Sequence, residues 1–266
     1  MGGRRLWLRR SGAGPPVLLL NGIAGSPATW QPLQRYLNGF ERIELALPGR
    51  PDVADWRPVL TMAEFAALVS DALDELGIEC AHVLGFSFGG MVAQQLAHDM
   101  PARVRGLILV ATICGLGAIP SSPLSWWQAI QEEAQDTPPA PLGLLPHWWA
   151  WRWARTVWRE FGVGWSDGVR PDELVQRMAA TWLWSSLPWL PGLPQQVLVI
   201  TGTADAVAPP ENADILASRI PHARLHRVRG GGHFCVVDRV AEVGPVIADF
   251  LRSSQPASGD QTVELG

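Results

Sequence analysis

Short apolar runs recur along the chain at Pro16 to Asn21, Ala81 to Leu84, Gly106 to Ala111 and Gln196 to Thr201. Continuous apolar runs of this length, closed by turn residues, are what strands buried on both faces look like. Arg4 to Arg10, Arg42 to Leu47 and Arg224 to Val228 are more mixed and read as further strands, the second stopped by Pro48-Gly49. Between the strands the period changes. Thr61-x-x-Glu64 is a capping box, and Phe65, Leu68, Val69, Ala72, Leu73 and Leu76 follow at helical spacing until Gly77. Further helices are expected from Gly90 to His98, Pro210 to Arg219 and about Arg239 to Arg252. This strand–helix alternation predicts an α/β fold, a mostly parallel twisted sheet flanked by helices.

The rhythm stops after residue 116. From about Ala118 to Leu193 the composition turns to Pro and Trp, with 11 of the 14 tryptophans between Trp126 and Trp189. The organisation expected is therefore a core of residues 1–117 and 194–252, an inserted helical, Trp-rich cap at 118–193, and a loose tail at 253–266. A length of 266 residues with 47% apolar content suits one α/β domain.

Charge and cysteine content narrow the function classes. A net charge of -4 and the absence of lysine leave no basic footprint for nucleic acid, and the arginines carry no functional reading. No window approaches a transmembrane span, and Val17 to Leu20 is too short for a signal-peptide core. Cys80, Cys114 and Cys235 fit neither a disulfide framework nor a zinc site, so a reducing cytoplasm is expected.

The candidate chemistry centres on Gly85-Phe86-Ser87-Phe88-Gly89, which sits between a predicted strand and a predicted helix. A serine on such a turn is exposed for attack, provided that a base takes its proton and a third group orients the base. No acidic residue lies between Asp99 and Glu132, so the carboxylate is expected one strand later, at Asp205. The base is expected at His233, after Gly230-Gly231-Gly232; His226 lies within a strand, and His82, His98, His147 and His222 read as structural or surface residues. Two backbone amides would receive the oxyanion, one from Phe88 after the nucleophile and one from the Asn21-Gly22-Ile23-Ala24-Gly25 turn, at Ile23. This chemistry calls for neither a metal nor an organic cofactor. A dehalogenase or epoxide hydrolase would need a carboxylate where Ser87 stands.

With these motifs in place the chain resembles the α/β-hydrolase superfamily over nearly all of residues 4–252 outside the cap. Asn21-Gly22-Ile23, Gly85 to Gly90 with Ala93 to Asp99, Arg219 to His226, and Gly232-His233-Phe234 are similar to intracellular medium-chain poly(3-hydroxyalkanoate) depolymerases. That group carries Asn-Gly at the oxyanion turn, where most relatives carry His-Gly. The resemblance implies a hydrophobic 3-hydroxyacyl polyester as substrate, with a polymer granule surface as partner. The ordinary reading of Trp148, Trp149, Trp151, Trp153 and Trp158 is packing of cap helices on the core; the sharper one is that some of them, with Trp182, Trp184 and Trp189, line an apolar entrance or dock on a polyester surface, with Trp148, Trp149, Trp182 and Trp184 as the candidate substrate-binding residues. Two other functions fit the same residues: a small-molecule carboxylesterase, lipase or lactonase, and a non-catalytic protein of this fold that holds a ligand or coats a granule.

Overall fold

The computed structural model describes residues 7–23, 27–47, 60–121 and 171–254. Its strands are β1 (Trp7–Ser11), β2 (Pro16–Leu20), β3 (Glu41–Ala46), β4 (Ala81–Phe86), β5 (Val104–Val110), β6 (Gln196–Gly202) and β7 (Ala223–Val228). They form one sheet in the order β1-β3-β2-β4-β5-β6-β7, parallel throughout except for β1, which runs antiparallel to β3 at the edge.

The apolar runs are explained by burial on both faces, because successive side chains of a strand point to opposite sides. Leu18 and Leu20 of β2, Val83 of β4, Leu107 and Leu109 of β5, and Val197 and Val199 of β6 meet one hydrophobic cluster. Their neighbours Val17, Leu19, Leu84, Phe86, Ile108, Val110, Leu198 and Ile200 meet the other. Four helices supply the first cluster: α1 (Met62–Glu75) with Phe65 and Val69, α2 (Phe88–Asp99) with Val92 and Leu96, α3 (Pro171–Trp182) with Ala180, and α4 (Glu211–Arg219) with Leu216.

The opposite face is covered by α5 (Cys235–Asp238), α6 (Val240–Ser253) and a 3-10 segment, Pro27–Tyr36, that the sequence pattern did not announce. Trp30, Leu33 and Leu37 of that region are fully buried. Pro32 lies inside it, and a three-residue turn aligns side chains at i and i+3 rather than along an α-helical stripe.

Local signals decide the helix ends. The predicted capping box is formed: the Glu64 N–H donates to Thr61 Oγ1 at 3.2 Å, and the Thr61 N–H donates to Glu64 Oε2 at 2.7 Å. The closing helix expected from about Arg239 to Arg252 is α6, which buries Val243, Ile247 and Phe250. A separate one-turn helix, α5, precedes it and buries Cys235 and Val236.

Most of the predicted cap, together with Trp148 and Trp149, lies outside the described residues. What is described of it is residues 118–121, α3 and the segment that follows, the last joined to the core by a bridge between Gly115 and Ser185. Among the described residues no helix is long and apolar enough to cross a membrane.

Candidate active site

Ser87 stands alone between the last residue of β4 and the first of α2, with φ 52° and ψ −116°. A non-glycine residue held there costs on the order of 1–3 kcal/mol, so surrounding contacts must enforce it. They come from the next strand. The Ser87 N–H donates to the Val110 carbonyl at 2.9 Å, and its own carbonyl accepts from Thr112 Oγ1 at 2.7 Å and from the Gly90 N–H at 2.9 Å.

The flanking glycines are explained by close approach rather than by φ. A Cβ on Gly85 would sit 2.4 Å from the Gly89 carbonyl oxygen, and one on Gly89 would sit 2.2 Å from that of Leu20. A side chain at either place would push α2 away from the strands that aim it.

Asp205 follows β6 and is buried at 3% exposure. Its Oδ1 accepts the N–H groups of Val207 and Ala208, each at 2.8 Å, which leaves Oδ2 for the His233 Nδ1 at 2.8 Å. The far ring nitrogen, Nε2, lies 3.1 Å from Ser87 Oγ. The structure thus brings Ser87, His233 and Asp205 into one line across 146 and 28 residues of sequence.

The loops bearing the acid and the histidine are stitched together. The Ala204 N–H donates to Gly231 O at 2.9 Å, the Thr203 N–H to Val228 O at 3.0 Å, and the Gly230 N–H to Thr203 Oγ1 at 2.8 Å. Phe86 and Phe234 pack on the imidazole with ring centroids 5.1 and 5.3 Å away. Cys235, two residues on, is inert by the same burial: its thiol is pushed up to about 12, first by desolvation and then by Asp205.

The Asn21-Gly22-Ile23 turn leaves β2 beside β4, where the strand order reverses and a parallel sheet opens a crevice at its carboxyl ends. A Cβ on Gly22 would lie 3.5 Å from Ser87 Cβ, so this backbone runs against the nucleophile candidate. Phe88 is the first residue of α2, so its N–H has no carbonyl one turn earlier to bond. Its ring is anchored edge-on against Phe65 at 5.3 Å.

The tryptophans that are described part ways. Trp182 is 70% exposed, followed by Leu183 at 89%. Trp184 donates its indole N–H to Gln95 Oε1 at 2.6 Å and meets Trp189 edge-on. Gln95 lies eight residues beyond Ser87, about 12 Å along α2. Trp189 stacks on His98 at 4.3 Å.

The other described histidines lie elsewhere. His82 is buried in β4, His226 lies 3.5 Å from Glu242, His222 is exposed, and His147 is outside the described residues. The contact that sequence reasoning missed is Thr112. Its signal was a lone polar side chain just after the apolar run of β5.

A buried imidazole between a carboxylate and a serine hydroxyl can take the serine's proton and keep the resulting charge paired. The chain has relatives among known proteins. The model of the alpha/beta hydrolase fold family matches residues 15–240. A poly(3-hydroxyalkanoate) depolymerase from Ectopseudomonas oleovorans is 30% identical, over 92% of this chain and 89% of its own. A pimeloyl-[acyl-carrier protein] methyl ester esterase from Aromatoleum aromaticum is 28% identical, over 90% of this chain and 98% of its own. A thermophilic esterase from Thermogutta terrifontis superposes with a TM-score of 0.73 at 24% identity, covering 94% of each chain, a likeness of fold. The matched stretch runs from the start of β2 to the start of α6 and takes in every parallel strand and all three aligned side chains; this chain belongs to the alpha/beta hydrolase fold family.

Proposed function

We propose that the protein is a serine hydrolase of carboxylic esters that works through an acyl-enzyme. The observation carrying this reading is the hydrogen-bonded line from Asp205 Oδ2 through His233 to Ser87 Oγ. Ser87 Oγ attacks the ester carbonyl as His233 Nε2 takes its proton, and Asp205 holds the imidazolium. The oxyanion turns toward the amides of Ile23 and Phe88, next to the positive end of the α2 dipole. His233 then protonates the leaving alcohol and activates the water that releases the acid.

The substrate class we propose is a 3-hydroxyacyl polyester. The depolymerase at 30% identity supports it, as does the Asn21-Gly22 turn. A smaller ester is the second reading, favoured by the methyl ester esterase match and by a Trp184 occupied with Gln95. Granule association, a cytoplasmic location and a cap at 118–193 belong with the polyester reading; Trp182, exposed at the end of α3, is a described residue suited to such a surface.

The test combines a fluorophosphonate label with a hydrolysis panel. Wild-type protein is expected to be labelled on Ser87 and to release 3-hydroxy acids from a medium-chain polyester emulsion, and Ser87→Ala to do neither while staying folded. No label on folded wild type sinks the serine hydrolase. Label with cleavage of short soluble esters alone sinks the polyester and leaves the esterase.

A further inference from the structure

Arg177 of α3 is an arginine with 5% exposure, enclosed where the sequence offers nothing to distinguish it from a surface residue. Its Nη1 donates to the carbonyl of Ile23, and its Nη2 donates to the carbonyl of Leu47 at 2.9 Å. The two acceptors lie just past the ends of β2 and β3, which are neighbours in the sheet. One guanidinium therefore ties two strand ends to a helix 154 and 130 residues further along the chain.

A buried guanidinium is costly to desolvate, and an apolar side chain of similar length would fill the same space without that cost. Its use lies in its donors, a planar fork that can hold two carbonyls in fixed directions. One of those carbonyls belongs to Ile23, the residue whose amide is proposed above to receive the oxyanion. Peptide units are rigid, so the aim of the Ile23 N–H depends on the φ and ψ angles around Gly22 and Ile23. Gly22 is the permissive member of that pair. Phe86, whose ring carbons would lie 3.1 Å from a Cβ on Gly22, limits the loop on one side, and Arg177 ties it on the other.

We propose that Arg177 is a positioning residue: by clamping the Ile23 and Leu47 carbonyls to α3 it holds the Ile23 amide in the direction that receives the oxyanion. The clamp rests on the ester-hydrolase reading above and extends it, because it makes the oxyanion site dependent on seating of the cap-side helix. A clamp of this kind acts on the transition state rather than on substrate affinity, since the oxyanion charge develops only as the bond forms.

The experiment compares wild type, Arg177→Met, Arg177→Gln and Ser87→Ala on a soluble p-nitrophenyl ester, with an aryl boronic acid as the tetrahedral, anionic mimic. The Arg177→Met variant is expected to lower kcat roughly 10- to 100-fold, less than or equal to the loss of a whole oxyanion donor, with KM within about threefold. Boronate affinity falls by the same factor, and amide hydrogen exchange rises in residues 20–23. Arg177→Gln, smaller and neutral, provides the same readouts if the Met variant does not fold. A folded variant whose kcat and boronate affinity stay within about twofold of wild type overturns the clamp, as does a rise in KM at unchanged kcat. Ser87→Ala separates the two claims: if wild type hydrolyses no more than Ser87→Ala, the hydrolase reading falls and the clamp with it. An active wild type beside unaffected Arg177 variants sinks the clamp alone.

Discussion

Replacing Asp205 by Asn tests how the acid sets the histidine's tautomer. Asp205 meets three donors with two oxygens: Oδ1 takes the Val207 and Ala208 N–H groups at 2.8 Å each, and Oδ2 takes His233 at 2.8 Å. Asparagine keeps one oxygen and adds an NH2 group. An NH2 facing the two backbone donors would leave both unpaired, at about 1–3 kcal/mol each, so the oxygen stays at the Oδ1 place. The NH2 then faces His233 Nδ1, which must offer a lone pair, and the ring proton moves to Nε2, 3.1 Å from Ser87 Oγ. A protonated Nε2 cannot accept the serine proton. The expected loss in kcat is about 10⁴-fold, or about 5.5 kcal/mol of transition-state stabilisation, with stability almost unchanged. Asp205→Ala, in contrast, strands both backbone donors and should lower stability by about 2–4 kcal/mol. Ester hydrolysis at neutral pH and urea unfolding measure the two effects separately. A folded Asn variant that retains more than about a tenth of wild-type kcat refutes the tautomer argument.

Two other predictions concern groups away from Ser87. Burial, followed by the charge of Arg105, lowers the pKa of His82 from 6.5 to about 4. The native state therefore favours the neutral ring, and this share of stability is complete above pH 6.5 and lost as pH falls through about 4. It amounts to about 3 kcal/mol, and urea titrations should show the stability difference between pH 7 and pH 4 shrinking by that much in His82→Gln; an unchanged difference rules out His82 as the source. Trp184→Phe removes the indole donor to Gln95 and should cost about 1–2 kcal/mol of stability with KM for a soluble ester unaltered. A KM increase beyond about fivefold would instead assign Trp184 to the acyl pocket.

What could be read locally was read from burial that repeats with a fixed period. The runs in β2, β4, β5 and β6 are mostly apolar because both faces of the sheet are covered, and the stripe of α1 begins at a capping box that forms as its spacing implies. Segments that break the usual periods stayed hidden. Pro27–Tyr36 buries Trp30 in a 3-10 turn around Pro32, and α5, the one-turn helix before the closing helix, is too short to show a period. Trp182 and Trp184 are two residues apart in one composition-biased stretch, yet one is exposed and the other is bonded to α2.

By itself the sequence determined the strands of the sheet and its long helices, the serine turn, and the choice of Asp205 and His233 as candidates, since each depends on neighbours within a few residues or on the lack of rivals along a strand. Only the tertiary structure decided that those side chains meet at 2.8 and 3.1 Å, that Thr112 holds the Ser87 carbonyl, and that Arg177 reaches Ile23. Those contacts span 25 to 154 residues. They follow from strand order and loop closure, which bring distant segments together without leaving a periodic mark on any one of them.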